Sequence, residues 1–412
     1  MSFLANRFRD VVSKSKDVRM KKETEFGIAY PTGFLSFDFT NGNIVHTKVE
    51  DKDFRYYNVG VMDGEMIYII GRSGSYKTTF VLQCAASIIK PFKTACIFHE
   101  DIEGGISDLR KMTITQMNKE EFETKYISRN SGITAENFYE RIKIINDIKQ
   151  TNREEYEYDT CKYDMFGKRI YKLEPTVVIL DSLALLMPEK YTDENELSGQ
   201  MAATAAAKAN AAIFKRIIPM LKASNIILFI INHINQKVEI NAFARTKAQV
   251  SYLKQDETLP GGNAPIYLAN KMIRLDDSSK LKPTEGFGIS GAQIDITIIK
   301  SRNCKAGTIT SYIVDQNIGF DKELSLFLLL KLNNKIGGAG AYLTIGDCPV
   351  KFSQKQFKQK LKENEELRIA FMNEVQSLLN SIIESNYTES LNYDDNNFNI
   401  SNDILKIMNN AA

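Results

Sequence analysis

The residues best able to do chemistry stand together as Gly71-Arg72-Ser73-Gly74-Ser75-Tyr76-Lys77-Thr78, followed by Thr79. Ahead of them Glu65-Met66-Ile67-Tyr68-Ile69-Ile70 is apolar enough for a buried strand. Behind them Thr79-Phe80-Val81-Leu82 opens a helical pattern that reaches about Lys90. Strand, glycine-bearing turn and helix in that order form the setting of a phosphate-binding loop, in which backbone N–H groups and the positive end of the helix dipole surround phosphate oxygens. Lys77 would reach the β- and γ-phosphates of a nucleotide, and the Thr78 hydroxyl would hold Mg²⁺. The glycine usual before such a lysine is replaced here by Tyr76.

Carboxylates follow at the positions where such a loop needs them. Thr94-Ala95-Cys96-Ile97-Phe98-His99 predicts a second strand, ending in Glu100, Asp101 and Glu103 and then Gly104-Gly105. Acids at the carboxyl end of a parallel strand point into the crevice where open α/β sheets bind ligands, so one of the three could orient the water that attacks a γ-phosphate. Pro175 to Leu180 is an apolar run ending in Asp181 and Ser182, which places a carboxylate for the outer shell of Mg²⁺. Asn225 to His233 is a further buried strand, and His233 at its end would lie near the γ-phosphate.

These elements must be carried by a larger frame. Residues 195–223 predict an alanine-rich helix, kinked by Pro219 near its end. Asn235 to Pro260 is a long polar segment in which Lys237, Arg245, Lys247 and Lys254 are interleaved with Phe243 and Tyr252; it runs into Gly261-Gly262-Asn263. Cations for phosphates and aromatics for stacking are what single-stranded nucleic acid binding requires. Strands are predicted over Lys271–Leu275 and Ala292–Lys300, the second ending Lys300-Ser301-Arg302. Residues 145–172 are rich in tyrosine and charge without a clear period and read as an insertion or long surface loop. From about 354 the chain reads as helical, with Leu367, Phe371, Leu378 and Ile382 as an apolar stripe. The basic first 25 residues read as an arm suited to docking on a neighbouring subunit.

Composition bounds the rest. At 412 residues, 43% hydrophobic and 25% charged, the chain is ordinary for a soluble globular protein with a large core. A net charge of +2 leaves any polyanion site to a local patch. Five cysteines without metal-ligand spacing and three histidines argue against a rich metal centre and for a reducing compartment. No apolar run has membrane-spanning length and no signal-peptide core is present, so a cytoplasmic protein without a membrane partner is expected.

Taken in order, the motifs resemble the RecA family of DNA recombinases, and within it the phage UvsX-like branch. Thr32-Gly33-Phe34-Leu35-Ser36-Phe37-Asp38 looks like the family's entry to its core, and Leu180 to Pro188 is similar to its second nucleotide motif. Phe214 to Pro219 leading to Ile231-Asn232-His233 resembles the phage branch, as does an aromatic before the lysine. Gly261-Gly262-Asn263-Ala264 resembles the end of the second DNA-binding loop, Lys300-Ser301-Arg302 the cation pair that reaches the ATP of an adjacent protomer, and Lys335 to Tyr342 a late core segment.

The resemblance implies an α/β fold: a RecA-type P-loop ATPase core over 30–350, its mostly parallel twisted sheet flanked by helices. An arm over 1–29 would precede it, and a small helical region over 351–412 with a frayed tail would follow. It implies a DNA-dependent ATPase using ATP and Mg²⁺ that forms helical filaments on single-stranded DNA and pairs it with homologous duplex, with mediator and single-strand-binding proteins as further partners. Glu103 would polarise the attacking water, with Asp101 or Glu100 as alternatives. Lys77, Thr78, Ser75 and Asp181 would hold MgATP, Lys300 and Arg302 would approach from the neighbour, and His233 would sense the γ-phosphate. A hexameric DnaB-like helicase motor is the nearest rival, and a clock-type ATP-binding assembly protein with little turnover is a more distant one.

Overall fold

A computed structural model describes residues 26–191, 199–236, 253–254 and 256–386; side chains 199–203 are not considered. Its frame is a nine-stranded sheet: β1 (Met66–Gly71), β2 (Ile97–Asp101), β3 (Tyr126–Arg129), β4 (Thr176–Asp181), β5 (Ile226–His233), β6 (Lys271–Leu281), β7 (Gly291–Ser301), β8 (Ile309–Asp315) and β9 (Gly319–Phe320). The spatial order is β9-β8-β7-β6-β1-β5-β4-β2-β3. From β6 to β3 all neighbours are parallel, and β7 to β9 extend the other side antiparallel. The expected α/β fold with a mostly parallel sheet is borne out.

The parallel strands are covered on both faces, which is why β1, β4 and β5 are almost unbroken apolar runs. Alternation divides each of them. Ile67 and Ile69 pack with Phe80 and Val81 of the helix Lys77–Ile89. Met66, Tyr68 and Ile70 pack with Phe138 and Ile142 of the helix Ala135–Thr151 and with Phe214 and Ile217 of the helix Gly199–Ala223. The latter helix runs one turn past Pro219. A third core forms under the helices Lys322–Leu332, Phe357–Glu363 and Glu365–Asn386, where Leu367, Phe371 and Leu378 are buried as the stripe predicts. Among the described residues no helix is long and apolar enough to cross a membrane, and all five cysteines are free.

Two expectations need correction. Residues 145–172 are not a long surface loop: they complete the helix Ala135–Thr151, add the turn Arg153–Tyr156, and form an antiparallel hairpin of Glu157–Tyr163 with Arg169–Leu173. The hairpin's period was hidden because its register shifts between Asp159 and Tyr163, where Cys161 has a φ of +55°. The second strand also lies later than predicted, at Ile97–Asp101, because its pairing with β4 continues to Asp101 opposite Asp181. Glu100 and Asp101 are therefore strand residues on opposite faces, and only Glu103 lies beyond the strand.

A candidate nucleotide site at the carboxyl end of the sheet

The loop Gly71–Tyr76 leaves β1 at the sheet's carboxyl end, between β5 and β6, and feeds the helix that begins at Lys77. Gly71 admits no side chain there, since a Cβ would stand 2.4 Å from Ser75 Oγ and 2.6 Å from the Leu275 carbonyl. Tyr76 occupies the N-cap with φ +60° and ψ 25°, the left-handed region in which glycine is unstrained and another residue costs about 1 kcal/mol. The backbone thus keeps the conformation of the usual glycine. The partly buried Tyr76 ring, packed against the Ile/Phe layer beneath the helix, offsets the strain.

The side chains converge as the motif requires. Lys77 is 5% exposed and its Nζ donates to the Arg72 carbonyl at 2.8 Å. Burial pulls its ammonium down to about 8, while the charges of Asp181 and Glu103 oppose that. Thr78 Oγ1 donates to Asp181 Oδ2 at 2.6 Å. Among the described residues, Asp181 Oδ1 and Ser75 Oγ are buried without a hydrogen-bond partner. Those orphaned oxygens beside a buried lysine fit a bound Mg²⁺–nucleotide, which would satisfy them. Among the described residues no group of three or more His, Cys, Asp or Glu could hold a metal by itself.

Burial pushes the Asp181 carboxyl up to about 6, reinforced by Glu103 and Asp101 and opposed by Thr78 and Lys77. Asp181 is therefore ionised above that pH and loses its charge below it. The affinity for a Mg²⁺–ATP analogue should weaken about fourfold between pH 7.5 and pH 5.5, beyond any change shown by Asp181→Asn, when measured by titration calorimetry.

The three acids of the second strand have separate fates. Glu100 bonds Arg141 of the helix Ala135–Thr151. Asp101, on the other face, pairs with the buried Lys111 at 3.1 Å and accepts from the Gly104 amide at 2.9 Å. Glu103 lies on the turn that follows, held near β4 by the amides of Ile102 and Glu103, which donate to the Asp181 carbonyl at 2.7 and 3.4 Å. Its Oε1 meets His233 Nε2 at 2.6 Å. Partial burial would raise the Glu103 carboxyl, but the hydrogen bond from His233 and the Lys77 charge hold it below the ordinary value. The fold therefore brings Lys77, Thr78, Asp181, Glu103 and His233 together.

The segment after His233 returns to the same place. Asn235–Gln236 pairs antiparallel with Glu257–Thr258, forming a stem. Asn232 Nδ2 donates to the Tyr68 hydroxyl at 2.6 Å and to the Pro260 carbonyl at 2.8 Å. Gly261 and Gly262 have φ of +84° and +87° and lie against Leu183 and Ala207, where a Cβ would come within 2.8 Å. Asn263 immediately precedes the short helix Ala264–Leu268, and Lys254 is exposed. Lys237, Phe243, Arg245, Lys247 and Tyr252 lie outside the described residues.

Lys300 and Arg302 are not with this group. Lys300 stands opposite Met272, which stands opposite Tyr68, and Ser301 is level with Lys271, the first residue of β6. The pair is therefore at the amino end of the parallel strands. Lys300 Nζ donates to the carbonyls of Ile266, Tyr267 and Ala269 at 2.8, 2.8 and 2.9 Å, and Arg302 Nη2 to that of Tyr267 at 3.3 Å.

Sequence reasoning did not single out Glu257, whose fully buried side chain takes Arg274 at 2.6 Å and Arg72 of the phosphate loop at 3.4 Å. It is one acid within a polar segment, and nothing in the local pattern marks it as buried.

No family model matches the chain. It is 22% identical over 338 residues, 81% of this chain and 81% of the relative, to Protein RecA of Clostridium botulinum strain Alaska E43 / Type E3, with the same figures for that of strain Eklund 17B / Type B. It is 23% identical over 272 residues, 65% of this chain and 58% of the relative, to the Recombination and repair protein of Enterobacteria phage T4. The chain thus carries weak homology, over four-fifths of its length, to bacterial RecA, and over a shorter span to a phage recombination and repair protein.

Proposed function

We propose that this protein is an ATP-dependent recombinase of the RecA kind, nearest in character to the phage branch, that assembles into helical filaments on single-stranded DNA and promotes homologous pairing and strand exchange. The relatives supply the class of activity. The hexameric helicase alternative gains no support from them.

The observation that best supports assembly is the position of Lys300 and Arg302. With strands about 4.8 Å apart and residues rising about 3.3 Å each, Lys300 is roughly 14 Å from Gly71, and its side chain is turned toward the other end of the sheet. Arg302 lies further out, its amide donating to the carbonyl of Asn270 at 3.0 Å. Cations so placed are out of reach of their own chain's phosphate loop; a nucleotide they meet belongs to another copy. ATP between two copies would then favour assembly, and its hydrolysis would weaken it.

On this reading bound MgATP supplies the triphosphate to be cleaved. Lys77, Ser75 and the loop amides would hold its phosphates, and Thr78 and Asp181 would hold the metal ion. Glu103 accepts the proton of the attacking water, while His233 passes the presence of the γ-phosphate to the stem that follows it. The segment 235–263 would bind single-stranded DNA by its backbone, with a steep salt dependence and little sequence preference. Mediator and single-strand-binding proteins are natural partners of such a filament.

Negative-stain electron microscopy with long single-stranded DNA and a non-hydrolysable ATP analogue tests this directly. Continuous helical filaments that vanish without nucleotide are expected; closed six-fold rings, or bare DNA, would overturn the reading. Arg302→Ala should bind nucleotide as a monomer with unchanged affinity and yet fail to form filaments. Normal filaments from that variant would remove the contact across the interface.

A further inference from the structure

The phosphate loop and the stem of the long basic segment are joined by an ion pair. Arg72 is the second residue of the loop, and its guanidinium meets Glu257 Oε1 at 3.4 Å. Glu257 lies in the two-residue strand that closes the stem with Asn235–Gln236, two residues beyond His233. Its carboxylate is fully buried and has other partners: Arg274, which also bonds Asp276 at 2.6 Å, donates to both of its oxygens at 2.6 and 3.1 Å, and the Lys254 amide donates at 3.0 Å. Arg72, by contrast, has its side chain half exposed. When the Arg72 guanidinium leaves, Glu257 keeps the bonds from Arg274 and the Lys254 amide, and a half-exposed pair contributes little, so the contact can open.

The same residue is bound to the nucleotide chemistry through its backbone. Lys77 Nζ donates to the Arg72 carbonyl and keeps two further donors for the oxygens of an entering triphosphate, so the lysine that meets the nucleotide is tied to this residue. A triphosphate would also place several negative charges beside a guanidinium that, among the described residues, is held by one long contact, to Glu257 at 3.4 Å. That charge favours release of the half-exposed Arg72 from Glu257.

We infer that Arg72 is a positioning residue that couples the occupancy of the phosphate loop to the stem of the single-stranded-DNA segment, holding Glu257 when the loop is empty and releasing it when a triphosphate is bound. The link runs beside the contact of His233 with Glu103 and shares no side chain with it. It rests on the proposed DNA-binding function and adds a second route of regulation to the same site. Because coupling is reciprocal, DNA would tighten nucleotide binding by the factor through which nucleotide tightens DNA binding.

The test compares single-stranded-DNA affinity, by fluorescence anisotropy with a labelled oligonucleotide, without nucleotide and at a saturating concentration of a non-hydrolysable ATP analogue. For the full chain the ratio of the two affinities should exceed one. Arg72→Gln should lower that ratio about fivefold, mainly by tightening the nucleotide-free state, the size expected for loss of one partly exposed ion pair. Arg72→Lys, which keeps the charge, should restore most of it. Hydrogen exchange at the Glu257 and Thr258 amides supplies a reading free of DNA: the analogue should accelerate it in the wild type, whereas Arg72→Gln should exchange fast from the start. An unchanged ratio in Arg72→Gln, with a wild-type ratio well above one, overturns the coupling role alone. Binding with a wild-type ratio of one overturns the coupling alone, whereas no binding of the oligonucleotide in either state overturns the DNA-binding function and this inference with it.

Discussion

Lys77→Ala should abolish ATP turnover, with a fall of about three orders of magnitude or more in steady-state phosphate release. The reason lies in how the lysine is held. It is buried, so its charge is costly, and among the described residues its ammonium donates only to the Arg72 carbonyl. Burial has already lowered it to about 8, with Asp181 and Glu103 supplying the compensating charge. Such a group is arranged to meet an anion that arrives, and its interaction strengthens as charge develops on a transferring phosphoryl group in a site that excludes water. Lys77→Met, which keeps the stem and removes the charge, should behave as the alanine does. Turnover within tenfold of wild type in either variant would mean that the loop does not carry the chemistry.

Glu103→Gln should lower kcat about 100- to 1,000-fold while leaving nucleotide affinity nearly unchanged. Glutamine keeps the length of the side chain and can still bond His233, but it cannot accept a proton. The Glu103 carboxylate is held below the ordinary range by His233 and Lys77, so it is ionised and ready to accept throughout the neutral range. Glu100 and Asp101 differ in kind. Each is committed to a cation, Glu100 to the partly buried Arg141 and Asp101 to the buried Lys111. Asp101→Asn and Glu100→Gln should therefore act on stability, lowering the melting temperature by several degrees as a buried pair is broken. A pattern in which Asp101→Asn loses turnover and Glu103→Gln keeps it would reassign the acid. Single-turnover measurement of phosphate release separates these outcomes from assembly defects.

The hairpin of residues 157–173 shows where local patterning fails. Its strands are marked by tyrosines and threonine, yet an irregular register breaks the period of two that would reveal them. Placement of the strand bearing the acids failed for another reason. Thr94, Ala95 and Cys96 suit a strand as well as Glu100 and Asp101 do, and the boundary is decided by where β4 begins and ends beside it.

What the sequence by itself determined is the local chemistry: an apolar strand, a turn whose loop amides suit a phosphate, a lysine and a hydroxyl at the head of a helix, and apolar strands ending in Asp181 and His233. Each is set by neighbours a few residues apart, through strand and helix periods and the special backbone of a tight turn. Tertiary structure alone decided the rest. Alternation along β2 sends Glu100 and Asp101 to opposite faces, leaving Glu103 for the nucleotide side. The antiparallel turn into β7 carries Lys300 and Arg302 to the far end of the sheet, away from the loop that their charges would suit. Glu257 finds Arg72 across 185 residues of chain. Those relations depend on strand order, direction and register, which arise when the whole apolar sheet is buried at once.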